Sequence, residues 1–197
     1  FFPQYSHGWH MIQLMLQTVD LPDAPDYYLW LDNDAIALRH ESVESAYQQV
    51  HDKMTVWGHA WQSNHLEGPN GQIPHPYASQ ACLMFSRELY NRLGRPSMDH
   101  TVKYCDTAEN FTYAAKRAGC NVSLLYPSHS VFADTPLDNG MIYGMGNTYG
   151  PLNRPLWYHT SSIPNPRHVE VFTETCKMVL ADRFEGDNPA APYGHLS

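Results

Sequence analysis

Two carboxylates one residue apart close an apolar, aromatic run. Tyr27-Tyr28-Leu29-Trp30-Leu31 leads into Asp32-Asn33-Asp34, and Ala35-Ile36-Ala37-Leu38 follows. Two desolvated like charges repel each other and need a compensating cation. A divalent metal is the natural candidate, because hard cations prefer carboxylate oxygens. Asp-Asn-Asp is also good turn chemistry, since Asx side chains bond their own backbone. Position favours function: open α/β sheets place ligands at the carboxyl ends of their strands.

Three further groups could do chemistry. Asp106-Thr107-Ala108-Glu109 opens a helix, and an Asp followed three residues on by Glu is a capping-box pattern that accounts for both carboxylates structurally. The apolar segment Leu156-Trp157-Tyr158 ends in His159, one of 12 histidines, so only its order relative to the Asp pair singles it out. The stretch from Ala60 to Ala78 is rich in Gly, Pro, Asn and His and reads as a long loop. Its Trp61, His65, His75 and Tyr77 rings can stack on a ligand or anchor a surface loop. Gly144-Met145-Gly146 is too sparse a glycine pattern to indicate a phosphate loop.

The elements that must position these groups alternate. A helical period runs through His10–Leu16 and stops at Leu21-Pro22. The strand Tyr27–Leu31, expected to be buried, comes next. Glu41 to Lys53 reads as a helix, with Ser42 as cap and Val43, Ala46, Tyr47 and Val50 as its inner stripe. Met54–His59 and Gln80–Phe85 read as strands, and a short helix from Arg87 to Leu93 is closed by Gly94. The helix after Asp106 runs to Ala118 and stops at Gly119, and Asn121–Tyr126 is a strand. Ser128 to Arg154 is turn-rich. A last helix starts at Asn165-Pro166, with Val169, Phe172, Cys176 and Val179 inward. This rhythm is that of an α/β domain.

The 197 residues suit one domain, with 43% hydrophobic and 16% charged residues describing a soluble globular chain. A net charge of -8 argues against a nucleic-acid surface. No apolar run approaches the roughly 18 residues of a membrane span, and no signal peptide is evident. A soluble, cytoplasmic rather than secreted, domain is the expectation. The chain starts at Phe1, which suggests a fragment or a processed chain, and residues 185–197 read as a flexible tail after a catalytic domain of residues 1–184. Cys82, Cys105, Cys120 and Cys176 are dispersed and resemble neither a zinc framework nor a disulfide scaffold; Cys82 reads as a buried thiol. Two glycosylation sequons, at Asn110 and Asn121, fall inside regular elements and read as accidental.

Together, the strand into Asp32-Asn33-Asp34, the strand Gln80–Ser86, the segment Cys105–Glu109 and Trp157-Tyr158-His159 resemble, in order, a nucleotide-sugar-dependent glycosyltransferase of the GT-A fold. The resemblance covers roughly Tyr27 to Leu180 and implies a GT-A-like, Rossmann-like, mostly parallel sheet flanked by helices in a single domain. It implies Mn2+ or Mg2+ held by Asp34, Asp32 and His159, with Asp32 alternatively on the ribose and Asn33 compatible at the middle position. It implies a UDP- or GDP-sugar donor and a carbohydrate or glycoconjugate acceptor. Asp106 or Glu109 would take the proton of the attacking hydroxyl, as inverting members do, and Trp61, Tyr77 and Gln80 are candidate sugar contacts. One departure stands out. The family's nucleotide-binding βαβ portion precedes the Asp-x-Asp strand, and here a single helix does, so an N-terminal truncation or a reduced fold is expected.

Two other classes share some of these features. A metal-dependent phosphoryl hydrolase would use the same acidic site, though two-metal hydrolases need more clustered ligands. A non-catalytic carbohydrate-binding module would keep the aromatic loop and tolerate loss of Asp34.

Overall fold

Apolar runs such as Tyr27–Leu31 and Ala81–Phe85 lie in strands. The computed structural model describes residues 15, 17–63, 76–99, 105–131, 135–136, 142–143, 146–160 and 166–181. The strands are β1 (Tyr27–Leu31), β2 (Ala35–Ala37), β3 (Thr55–Trp61), β4 (Tyr77–Ser86), β5 (Asn121–Leu125), β6 (Pro127–Val131), β7 (Thr135–Pro136), β8 (Ile142–Tyr143), β9 (Gly146–Tyr149) and β10 (Trp157–His159). The described helices are α1 (Glu41–Val50), α2 (Arg87–Arg92), α3 (Glu109–Arg117) and α4 (Pro166–Leu180). His65, His75 and most of the segment His10–Leu16 lie outside the described residues. The chain divides into two compact units, one of residues 1–30 and 46–124, the other of residues 31–45 and 125–197.

The first unit carries a four-stranded sheet in the order β1-β4-β3-β5. β3 and β4 run antiparallel, with a register shift between Gly58 and His59. A Cβ on Gly58 would stand 2.8 Å from both the Ala78 Cβ and the Cys82 carbonyl oxygen, so the two strands approach too closely there for any larger residue. The core gathers Val56, Leu83, Phe85, Leu89, Met98 and Phe111, among others. Phe85 and Phe111 meet edge to face with centroids 4.8 Å apart, an arrangement the ring quadrupoles favour. α2 is capped as its sequence suggests: the Ser86 hydroxyl accepts from the Leu89 N–H at 2.9 Å. Gly94 and Gly119 follow α2 and α3 with φ of 76° and 71°, the left-handed turn-offs that glycine permits.

The second unit carries an antiparallel sheet in the order β2-β10-β9-β6. Leu38, Tyr158 and Val171 form its apolar centre, with Ile36, Phe172 and Val179 against them. The Ser42 hydroxyl, in the first turn of α1, donates to the Leu156 carbonyl at 2.6 Å.

These sheets correct the expected mostly parallel, Rossmann-like architecture. One pair in the first sheet is parallel, and the second sheet is antiparallel throughout. Alternation of helix and strand suggested βαβ crossovers, but that rhythm does not encode strand direction. Here β1 neighbours β4 rather than the next full strand, and β3 folds back on β4. Four local expectations also change. β1 lies at a sheet edge, and its Leu29 and Leu31 are exposed rather than buried. α1 ends at Val50, and Val43 points outward, while Ala46 and Val50 are buried. On α4, Phe172 and Val179 pack inward as expected, but Val169 is exposed and Val171 and Thr175 are the buried positions. The turn-rich span after Pro127 contains short strands, whose Ser, Asn and Thr content hid them.

Candidate functional site

Asp32-Asn33-Asp34 is a turn as well as a carboxylate pair. The Asp32 carbonyl accepts from the Ala35 N–H at 3.1 Å, closing a β-turn that links β1 to β2. The turn places Asp34 immediately before β2, and β2 pairs with β10 so that Ala35 faces His159. The Thr160 N–H donates to the Asp34 carbonyl at 3.0 Å and ties the two chain segments one step beyond the ladder. The consequence is a side-chain pair: His159 Nε2 lies 3.5 Å from Asp34 Oδ1, with 4% and 14% of the two side chains exposed. A carboxylate that shielded from water needs a partner charge or donor, and an imidazole or a cation beside it supplies one. Asp32 is half-buried and Asn33 exposed on the same turn.

The donor set suits a divalent ion. A carboxylate oxygen and an imidazole nitrogen are both ligands for Mn2+. Sites for such ions at phosphate substrates commonly use one or two protein side chains and complete the octahedron with phosphate oxygens and water. Among the described residues, no group of three or more His, Cys, Asp or Glu side chains is gathered to hold a metal. The structure therefore joins two of the three expected ligands, Asp34 and His159.

The acidic segment belongs to the first unit and forms a buried hydrogen-bonded cluster. Glu109 is fully buried. One of its oxygens accepts from the Tyr113 hydroxyl at 2.6 Å and the other from the Asp106 N–H at 2.7 Å. The second bond is one half of a capping box. The reciprocal half is missing, because Asp106 Oδ1 accepts from the Thr107 N–H at 2.7 Å instead, and Ala108 with φ 65° makes the helix entry without a side-chain cap. Asp106 Oδ2 accepts from the Tyr77 hydroxyl at 3.0 Å. Burial, then the Asp106 and Glu109 charges, pushes the Tyr77 phenol well above its ordinary range, so it stays a hydrogen-bond donor. The same causes, burial first and then Glu109, push the Cys105 thiol up to about 12. Asp106 is half-buried, whereas Glu109 is closed off.

Trp61 and Tyr77 fall on strands rather than in a loop, and Gln80 lies on β4, the strand its sequence suggested. Trp61 and Tyr77 are partners across the β3–β4 ladder. Tyr77 is 1% exposed and turned to Asp106, which assigns it to the carboxylate cluster and not to an exposed stacking surface. Gln80 is half-buried, and its Oε1 is enclosed with no hydrogen-bond partner.

Sequence reasoning missed Asn147 and Ser130. They extend the row that begins at Ala35 and His159, because Asn147 pairs with His159 on one side and with Ser130 on the other. No sequence signal marks them, since β9 follows a glycine-rich stretch and reads as turn. Comparison with known protein families and with curated protein sequences finds no match to this chain.

Proposed function

We propose that this chain transfers a glycosyl group from a nucleoside-diphosphate sugar to an acceptor hydroxyl, with a divalent cation at Asp34 and His159. The observation that carries the reading is the convergence of those two side chains, distant in sequence, to 3.5 Å in a shielded position. The reaction class comes from the resemblance of four ordered segments to GT-A glycosyltransferases. Mn2+ or Mg2+, when bound, neutralises charge developing on the diphosphate leaving group. Asp34 contributes a carboxylate oxygen and His159 a ring nitrogen, while Asp32, half-buried on the same turn, reaches the cation or the ribose. The donor is a UDP- or GDP-sugar and the acceptor a carbohydrate or glycoconjugate. A proton acceptor must come within hydrogen-bond reach of the attacking hydroxyl. Asp106 and Glu109 are the candidates for that role from the resemblance; the oxygens of both accept hydrogen bonds, and Asp106 is half-buried where Glu109 is fully buried.

The test is calorimetric titration of UDP and of GDP into the protein, with and without Mn2+, repeated on Asp34→Asn. Metal-dependent binding that disappears in the variant is the expected result. Equal binding by the variant overturns the metal assignment, and phosphoester turnover without sugar transfer overturns the reaction class.

A further inference from the structure

The second sheet holds a polar row that runs outward from the Asp34–His159 pair. Residues directly opposite one another in antiparallel strands project to the same face, with Cβ atoms about 4.5–5.5 Å apart. His159 is opposite Ala35 on one side and Asn147 on the other, and Asn147 is opposite Ser130. One face therefore presents Ala35, His159, Asn147 and Ser130 in succession across all four strands. Ala35 is small, which leaves the imidazole room to turn toward Asp34. On the opposite flank, the Ser130 hydroxyl donates to Asn147 Oδ1 at 2.7 Å. Asn147 is fully buried and His159 is 3% exposed.

A buried amide beside a buried imidazole is an unusual use of sheet interior. An apolar residue at position 147 would pack as well at less desolvation cost. The Ser130 bond restrains the Asn147 amide through its Oδ1, and the register sets Asn147 directly opposite His159 on the same face. Side chains behind a metal-binding histidine set its ring orientation and tautomer, and losing one typically costs 10–100-fold in metal affinity.

We propose that Asn147, held by Ser130, is the positioning residue for His159, keeping its imidazole in one orientation and one tautomer against Asp34. The assignment rests on the reading of Asp34 and His159 as a cation site only for its effect on metal binding. The ordering of the ring is a property of the metal-free protein.

The experiment measures two things on wild type, Asn147→Ala, Ser130→Ala and Ser130→Thr: the ring 15N shifts of His159 in metal-free protein, and Mn2+ affinity by calorimetry. Wild type is expected to show one His159 tautomer, and Asn147→Ala a mixture with Mn2+ binding 10–100-fold weaker. Ser130→Ala should move both readouts in the same direction by less, and Ser130→Thr, which keeps the hydroxyl, should restore them. Wild-type ring shifts in Asn147→Ala overturn the proposal. A wild type that binds no Mn2+ but whose ring shifts respond to Asn147→Ala removes the cation reading and leaves the positioning role standing. If Asn147→Ala does not fold, the Ser130→Ala and Ser130→Thr pair decides: equal ring shifts in the two overturn the proposal.

Discussion

His159 Nε2 stands 3.5 Å from Asp34 Oδ1 because of strand register: His159 pairs with Ala35, the residue after Asp34. A turn sets one partner and a ladder sets the other, so neither side chain needs a long flexible reach. His159→Gln keeps a polar group of similar size and removes the ring nitrogen. It is expected to weaken Mn2+ binding by roughly tenfold or more, which is about 1.4 kcal/mol, with the circular dichroism spectrum unchanged. Unaltered Mn2+ affinity, measured by calorimetry, would remove His159 from the cation site.

Glu109 contributes to stability by accepting from two donors, the buried Tyr113 hydroxyl and the part-buried Asp106 N–H. Glu109→Ala leaves the Tyr113 hydroxyl and the Asp106 N–H without this carboxylate, and at 1–3 kcal/mol per stranded group the loss should be about 3 kcal/mol. Glu109→Gln keeps one acceptor oxygen and should cost about 1–2 kcal/mol. Urea unfolding of both variants checks the order. An Ala variant as stable as wild type would mean that the buried carboxylate is held at no net gain.

Gly58 is required by the space between β3 and β4 and not by its backbone angle. A methyl group there meets Ala78 Cβ and the Cys82 carbonyl at 2.8 Å, and the carbonyl is main chain that cannot swing aside. Gly58→Ala should destabilise by about 1–3 kcal/mol, the usual range for overpacking. A melting temperature equal to wild type would show that the ladder shifts freely at its register change.

Asp52 links stability to pH. Burial works to raise its pKa, but hydrogen bonds from the Met54 N–H and from Thr55 outweigh it, and the carboxyl titrates below its ordinary value. A lowered folded pKa means stability that is present above the unfolded value, near pH 4, and lost as pH falls through the folded value. Asp52→Asn should therefore be less stable than wild type near pH 7, by at most about 1 kcal/mol because the group is exposed and solvent screens it. The difference should shrink as pH falls through the folded value, below which both forms are uncharged. A gap that grows on acidification would reverse the assigned sign.

Tyr77 reports on Asp106. Tyr77→Phe removes the hydroxyl that Asp106 Oδ2 accepts from and little else. If Asp106 takes the acceptor proton, the variant should lose about tenfold in kcat with donor KM unchanged, since a misplaced base slows the chemical step without weakening donor binding. A fall confined to KM would place Tyr77 in donor binding instead.

Local chemistry was legible in the sequence. The Asp-x-Asp turn, the Ser86 cap of α2, the glycine exits at Gly94 and Gly119, and the buried Cys82 all follow from side-chain groups acting on neighbouring backbone or from apolar runs, which a linear reading captures. The Asp32–Asp34 pair was nominated by its own residues, whereas His159 and a base role for Asp106 or Glu109 came from the order of segments that resembles GT-A glycosyltransferases. Strand direction and register were not legible, because hydrogen-bond ladders join residues far apart in the chain and a helix–strand rhythm is compatible with either direction. Register is what set His159 beside Asp34 and Asn147 beside His159, turned Tyr77 from a loop ring into the donor for Asp106, and left Leu29 and Leu31 at an edge. The sequence by itself determined which carboxylates, imidazoles and rings were available as candidates; only the tertiary structure decided which of them meet, because that depends on pairings between strands that no local pattern encodes.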